Sequence, residues 1–327
     1  MILEPLSADA LLAELRSDVG PERSGAVRVA LPEGTPAPAA VPDERERRVS
    51  LPFVVVGVTR GAVDDRWTRL CDVVVADGDP AQGAIEENLA AHPVAGTTLA
   101  LLLRGQDGLG IGAGLVAESA AYSVLQSGPE FAAWRAAHPA RPDRDEGPRV
   151  ALQRAGGTLT ITLTRPRRLN ALDARMRDEL VDACTLASAD PSITRVELRG
   201  EGRAFCAGGD LDEFGTRADP ATAHLIRLQR SVARALSRLP QDTVTHLHGA
   251  CVGSGIELAA FTGTVVAARD TQISLPEIGL GLVPGAGGTV SLPRRIGRLR
   301  TAWLAFSGCT IDAVTAQEWG LVDVLEP

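Results

Sequence analysis

Short apolar runs with no polar interruption are what most restricts the folds open to this chain. FVVVGVT, within Leu51 to Thr59, and CDVVVA, Cys71 to Ala76, are the clearest. Neither alternates apolar with polar residues, so each reads as a strand buried on both faces. Ala81 to His92 reads as a helix, Thr98 to Leu103 as a third strand, and Gly114 to Gln126 and Phe131 to His138 as helices. Buried strands alternating with helices imply parallel pairing, and hence the α/β class.

The alternation returns further along the 327-residue chain. Val150 to Gln153 and Thr158 to Thr164 read as paired strands joined at Ala155-Gly156-Gly157. Thr194 to Leu198, Thr243 to Leu247, Thr264 to Ala268 and Gln272 to Leu275 read as further strands. Helices are expected over Asp173 to Ala187, with Asp173 as N-cap, and over Ala221 to Leu239. Others should begin near Gly255 and span Arg298 to Ser307 and Asp312 to Trp319. The proline- and charge-rich stretch 139–148 reads as a linker, which gives an N-terminal α/β segment, 1–148, and a second unit, 149–327. Pro32 to Arg48 reads as a loose excursion. Leu99 to Leu103 with Gly108 to Gly114 has the same outline as Thr243 to Leu247 with Gly249 to Gly255: strand, glycine-rich turn, helix. A degenerate copy of one fold is therefore one reading of the first segment.

Composition removes several classes of function. Apolar residues make up 45% and aromatics only 3%, so a real core exists and must be aliphatic. The net charge is −8 and no lysine is present, so the overall field does not favour nucleic acid or an anionic membrane. Five cysteines with no CxxC pair and no zinc spacing argue against a disulfide framework and a structural metal. The N-terminus lacks the basic start and apolar run of a secretory signal, and no stretch reaches the roughly 20 apolar residues of a membrane helix. A soluble, cytoplasmic protein is expected.

Three glycine-rich pieces carry the chemistry. FCAGGD, Phe205 to Asp210, follows a strand, and its paired glycines free the backbone to present N–H groups. In HGACVGSGIEL, His248 to Leu258, a strand ends in a glycine-rich turn and a helix begins, where free N–H groups favour negative charge. That turn has no P-loop lysine, and Val252 stands where a G-x-S-x-G elbow needs glycine, so neither a P-loop nor a serine nucleophile is indicated. Cys251 reads as packing. SLPEIGLGLVPGAGG, Ser274 to Gly288, sets Glu277 behind a proline in an apolar run, as Glu257 is set between Ile256 and Leu258. Apolar surroundings disfavour a carboxylate's charge and move its pKa toward neutrality. One such glutamate is about as often a hydrogen-bonded structural acid. Two of them, each beside a glycine-rich turn, are harder to read that way.

These motifs, with RPRRLNAL (Arg165 to Leu172) and AQEWGLVD (Ala316 to Asp323), resemble the crotonase, or enoyl-CoA hydratase/isomerase, superfamily over about Arg149 to Glu326. The resemblance implies a spiral of ββα turns, usually assembled as trimers or hexamers, acting on an acyl-CoA. Two backbone N–H groups, falling on Gly209 and Ser254, would hold the thioester oxygen; serine replaces the usual glycine at the second. Glu257 would activate the water that adds at C3, and Glu277 would protonate C2. Arg167 and Arg168, with Leu169 and Ala207, fall where the family receives coenzyme A, which arrives as part of the substrate; no tightly bound cofactor is implied. Asp210 is expected to hold its loop, and His246 and His248 to pack.

The chain departs from the family pattern in two ways. It stops at Pro327, just past GLVD, without the helices that normally cover the acyl pocket, and it carries the extra N-terminal segment. The helices at Gly114 to Gln126 and Phe131 to His138 are the expected substitutes for that cover. Phe214, Leu282 and Trp303 are expected around the acyl group. Hydration of a 2-enoyl-CoA is the leading expectation. Double-bond isomerisation and a non-catalytic acyl-CoA-binding subunit are the alternatives.

Overall fold

A computed structural model describes residues 4–16, 25–37, 48–141, 147–216, 219–240 and 242–326. Most of the excursion expected at Pro32 to Arg48, and residues 142–146 of the expected linker, lie outside the described residues.

In the first half, β1 (Glu4–Leu6), β2 (Gly25–Ala30), β3 (Phe53–Thr59) and β4 (Val73–Ala76) form a parallel sheet in sequential order. Val54, Val55 and Val56 are fully buried, which accounts for the unbroken apolar run in β3: both faces of the sheet are covered. One face packs on the helix Ala8–Arg16 and on Trp67, and the other joins the main core.

The second half repeats a two-strand, one-helix turn. One sheet has the order β13-β10-β8-β7-β6-β5, built from β5 (Val150–Ala155), β6 (Thr158–Leu163), β7 (Arg195–Gly200), β8 (Asp242–Leu247), β10 (Thr264–Ala267) and β13 (Val324–Leu325). A smaller sheet joins β9 (Ala250–Val252), β11 (Gln272–Ser274) and β12 (Ile311–Asp312). The chain passes from β8 to β9 and then the helix Ser254–Ala259, and from β10 to β11 and then the helix Gly288–Ser307. Isolated bridges, Leu172 with Gly209 and Cys206 with Cys251, extend the second layer beside the helices Ala174–Ala189 and Pro220–Gln229. This is the expected ββα spiral.

Three local expectations are corrected. Thr98 to Leu103 is not a strand: it lies in the helix Pro93–Gly105. Proline opens that helix, the Glu130 carboxylate accepts from the Val94 and Ala95 N–H groups (2.8 and 3.0 Å), and Ala95, Leu99 and Leu103 bury one stripe. The duplication outline that ran through this strand goes with it; what the halves share is a sheet whose strands lie in chain order, all parallel in the first and parallel from β6 onward in the second. Ala221 to Leu239 is two helices, Pro220–Gln229 and Val232–Ser237, because Ser231 caps the second (Arg234 N–H to Ser231 Oγ, 3.2 Å). The helix expected from Arg298 begins at Gly288 and kinks at Gly297, whose φ is +78°. Asp173 is an N-cap as expected, accepting from the Met176 N–H at 2.7 Å.

The halves share one core, running from Val54 and Leu103 to Ile161, Leu292 and Phe306. The helices Pro80–Ala91, Pro93–Gly105 and Ile111–Gln126 pack on the helix Gly288–Ser307. Asn88 Nδ2 donates to the Phe306 and Ser307 carbonyls at that helix's end (2.9 and 3.1 Å). Asp72, fully buried, takes a bidentate pair from Arg104 (2.5 and 2.8 Å) and lies 3.6 Å from Arg298 of the second half.

Candidate active site

A cavity of about 530 Å³ opens where the spiral meets the helices Ile111–Gln126 and Pro129–Ala137. Gly209, Ser254, Glu257 and Glu277 all line it. From the first half come Leu115, Glu118, Tyr122 and Phe131, so the two helices expected as a cover do form part of the wall.

Gly209 follows Gly208, whose φ of +98° turns the loop, and a Cβ at Gly209 would lie 2.6 Å from the Phe214 ring. The loop is held from below. Arg165, with no accessible side-chain surface, donates through Nη1 to Asp210 Oδ2 (2.6 Å) and to the Ala171 carbonyl (3.0 Å), and the Asp210 N–H donates to Leu172 (2.9 Å). Asp210 is therefore the loop-holding acid the motif suggested. From above, Arg135 Nη1 donates to the Leu211 and Phe214 carbonyls (2.8 and 3.0 Å). Among the described residues, the Gly209 and Ser254 N–H groups donate to no other residue.

Glu257 is 2% exposed. Its Oε2 accepts from the Ala286 and Gly288 N–H groups, both at 2.8 Å. Burial pushes its pKa up, against the pull of those two N–H bonds. Glu277 opens the 3-10 turn Glu277–Leu280. Burial first, and then the Glu257 charge, hold its pKa well above the ordinary value of 4.5. Glu277 Oε2 and Ser254 Oγ are buried with no hydrogen-bond partner among the described residues. They are polar atoms available to whatever enters the cavity.

Glu118 is the residue that sequence reasoning missed. The acids of the first half read as solvated faces, yet Glu118 is 2% exposed. Its Oε1 accepts from the Gly287 N–H (2.7 Å), and its Oε2 from the Thr289 N–H (2.9 Å) and hydroxyl (2.7 Å). Burial, and then the Glu257 charge, raise its pKa. A signal was present: Glu118 shares its helix stripe with Leu115 and Tyr122, three and four residues away, so it lies on a buried face. Arg227, also missed, stacks on Tyr122 at 4.8 Å and donates to Ser119 Oγ (3.0 Å).

Other expectations distribute as follows. Phe214 lines the cavity; Leu282 and Trp303 do not. Leu282 is fully buried, and Trp303 packs edge-on against Trp319 at 5.5 Å. Arg167, Arg168, Leu169 and Ala207 lie outside the lining. Arg167 is exposed, Arg168 pairs with Asp212 at 3.1 Å, and the Ala207 N–H donates to the Leu169 carbonyl at 2.9 Å. His248 hydrogen-bonds the Gly202 carbonyl, and Cys251 is buried with its thiol pushed up by burial. Among the described residues no group of His, Cys, Asp and Glu is arranged to hold a metal ion, and no helix is long and apolar enough to cross a membrane.

Comparison with known proteins agrees with this arrangement. The enoyl-CoA hydratase/isomerase family model matches residues 153–327. The 1,2-epoxyphenylacetyl-CoA isomerase of Escherichia coli (strain K12) is 36% identical over 171 residues, 51% of this chain and 65% of the relative. The chain thus spans just under two thirds of that relative's length. The 2,3-dehydroadipyl-CoA hydratase of the same organism is 35% identical over 54% of this chain and 69% of its own. Among solved structures, the enoyl-CoA hydratase from Thermoplasma volcanium GSS1 aligns with a TM-score of 0.52 and 33% identity, covering 55% of this chain and 73% of that one. That from Mycobacterium smegmatis gives 0.51 and 33%, covering 55% and 70%.

Proposed function

The chain belongs to the enoyl-CoA hydratase/isomerase family, and on that premise we propose that it adds water to the double bond of a 2-enoyl-CoA thioester. The observation that carries the proposal is the meeting of Glu257 and Glu277 in one cavity with Gly209 and Ser254. Burial raises the pKa of both carboxyl groups, and the Glu257 charge raises that of Glu277 further, so Glu277 is the one that keeps its proton as Glu257 ionises. One is then a base while the other holds a proton, which is what hydration needs.

The steps follow from that division. The thioester oxygen accepts the Gly209 and Ser254 N–H groups, which stabilise the negative charge that builds on it during reaction. One such donor lowers a barrier by about 2.7–4 kcal/mol. Glu257, anchored through Oε2, takes a proton from water as the water oxygen bonds to C3. Glu277, through its unpartnered Oε2, gives its proton to C2. The double bond becomes a single bond, one water is consumed, and proton exchange between the two glutamates restores the starting state. Arg167, Arg168, Leu169 and Ala207 are assigned to the coenzyme A end of the substrate, outside the cavity, with no other cofactor. The functional unit is the whole chain, assembled as a homo-oligomer.

Isomerisation is the second reading, favoured by the similarity to an isomerase as well as to a hydratase. It would use one glutamate and the same N–H pair. A spectrophotometric assay separates the two. Loss of the conjugated thioester absorbance with crotonyl-CoA and longer 2-enoyl-CoAs supports hydration, whereas a gain with 3-enoyl-CoAs supports isomerisation. Coenzyme A binding with no change on any acyl chain would leave a non-catalytic binding subunit.

A further inference from the structure

We propose that Glu118 is a positioning residue for Glu257: it grips the Ala286–Thr289 turn from one side while Glu257 grips it from the other. The N–H groups of this turn are shared in strict alternation. Ala286 and Gly288 donate to Glu257, and Gly287 and Thr289 donate to Glu118. The pattern needs the backbone Gly287 supplies, with φ at +108°. It also leaves no slack, because a Cβ at Gly288 would lie 2.6 Å from Glu257 Cγ. A shift of the turn toward or away from Glu118 therefore moves both donors to Glu257 Oε2. A catalytic acid/base must be held to a fraction of an ångström, and a misplacement of about 1 Å costs about 100-fold.

Glu118 also sits among other titratable groups in a dry place. Facing it are Glu257 from the helix Ser254–Ala259, Glu277 from the 3-10 turn, Arg227 from the helix Pro220–Gln229 and Tyr122 from its own helix. The helix Gly288–Ser307 offers it only N–H groups and the Thr289 hydroxyl. Burial and the Glu257 charge oppose ionisation of Glu118 while its three donors favour it, and Glu118 in turn opposes ionisation of Glu277. Glu118 thus helps Glu277 keep the proton it must give. This rests on the acid/base role proposed for Glu257.

The test uses Glu118→Gln in the full chain. Gln retains an oxygen for Gly287 but turns an N–H donor toward Thr289, so the turn loses its hold on that side. We expect kcat on a 2-enoyl-CoA to fall about tenfold to a hundredfold, with KM within about threefold. We also expect the pH profile of kcat to move to higher pH, because loosened Ala286 and Gly288 N–H groups favour the Glu257 carboxylate less. A fall carried by KM, an unchanged kcat, or a profile that stays put or moves to lower pH overturns the proposal. Carboxyl carbon NMR on glutamate-labelled protein supplies a readout that does not need turnover. The Glu257 signal, assigned by its loss in Glu257→Gln, should titrate at higher pH in Glu118→Gln, since its Ala286 and Gly288 donors are loosened. An enzyme inactive on every enoyl-CoA defeats the proposed function, yet this titration still decides the role of Glu118. Thr289→Val, which removes one bond to Glu118 and none to Glu257, covers the case in which Glu118→Gln does not fold. It should lower kcat several-fold at constant KM, and an unchanged kcat counts against the proposal.

Discussion

Asp210→Asn should weaken both the fold and the thioester site, and by separable amounts. Asp210 is 6% exposed and receives the fully buried Arg165 at 2.6 Å. Asparagine keeps an oxygen for the Asp212 N–H, now 3.0 Å from Asp210 Oδ1, but removes the charge. Arg165 must then rely on Asp173, which lies 3.5 Å away and already pairs with Arg149 at 2.7 Å. Removing one partner of a buried ion pair costs about 3–5 kcal/mol, and the remaining carboxylate sets the expectation at the lower end, about 3 kcal/mol. Urea unfolding of both proteins at neutral pH measures it. The second effect reaches Gly209, one residue away. Losing an oxyanion donor outright costs about 2.7–4 kcal/mol of barrier. A loosened donor should cost less, so kcat falls about tenfold while coenzyme A binding changes less than about threefold. The double variant Arg165→Met with Asp210→Leu should regain most of the stability, since an apolar pair can replace a buried ionic one at little cost. Its kcat should stay low. Full activity together with a stability loss below about 1 kcal/mol in Asp210→Asn would refute the idea that this pair aims the Gly209 loop.

Three further outcomes are expected. Glu257→Gln and Glu277→Gln should each lower hydration about 10²- to 10⁴-fold, the usual worth of a general acid or base; a variant of either that keeps wild-type kcat takes that residue out of the mechanism. Ser254→Ala should leave kcat within about threefold, because the backbone N–H is the donor, and should keep or slightly raise stability, because the buried hydroxyl has no hydrogen-bond partner to lose among the described residues. A large fall in kcat would move the donor role to the side chain. Stability should also carry the sign of the raised carboxyl pKa values. A folded-state pKa above the ordinary 4.5 contributes stability that is full at lower pH and is lost as pH rises through the folded value. Between about pH 5.5 and about pH 8 the wild type should therefore lose more stability than Glu257→Gln, and equal losses in urea melts would contradict the buried, raised acid.

The half that matches the enoyl-CoA hydratase/isomerase family was legible because its signals are local. Each of Gly209, Ser254, Glu257 and Glu277 lies within a run of a few residues whose glycines and acid can be read without knowing the fold. The strand runs in β3 and β4 were legible for the same reason. Thr98 to Leu103 was not, since a short apolar run fits a buried strand and a buried helix alike. What separated them was the Glu130 carboxylate, which caps this helix from 35 and 36 residues away. Glu118 was illegible in a stronger sense. The partners that hold it, Gly287 and Thr289, lie 169 and 171 residues further along the chain. Its helix stripe announced burial, but nothing near it in sequence announced what it would meet.

That distance also bears on how much can be carried over from relatives. The family match begins at residue 153, whereas the cavity wall includes Leu115, Glu118, Tyr122 and Phe131. The N–H groups and the two glutamates of the reacting end fall inside the match. Tyr122, packed where a Cβ on Gly285 would lie 2.5 Å from its ring, and Phe131, whose ring would lie 2.8 Å from a Cβ on Gly215, fall outside it. Under the proposed function, chemistry at the thioester and fit around the acyl chain thus come from parts of the sequence with different claims to likeness. Exchanging Tyr122 or Phe131 for a smaller apolar residue should therefore change which acyl chain is turned over best, while Gly209, Ser254, Glu257 and Glu277 keep the reaction the same. If every acyl chain lost rate by one common factor instead, the first half would be acting on the placement of the glutamates and not on the shape of the pocket.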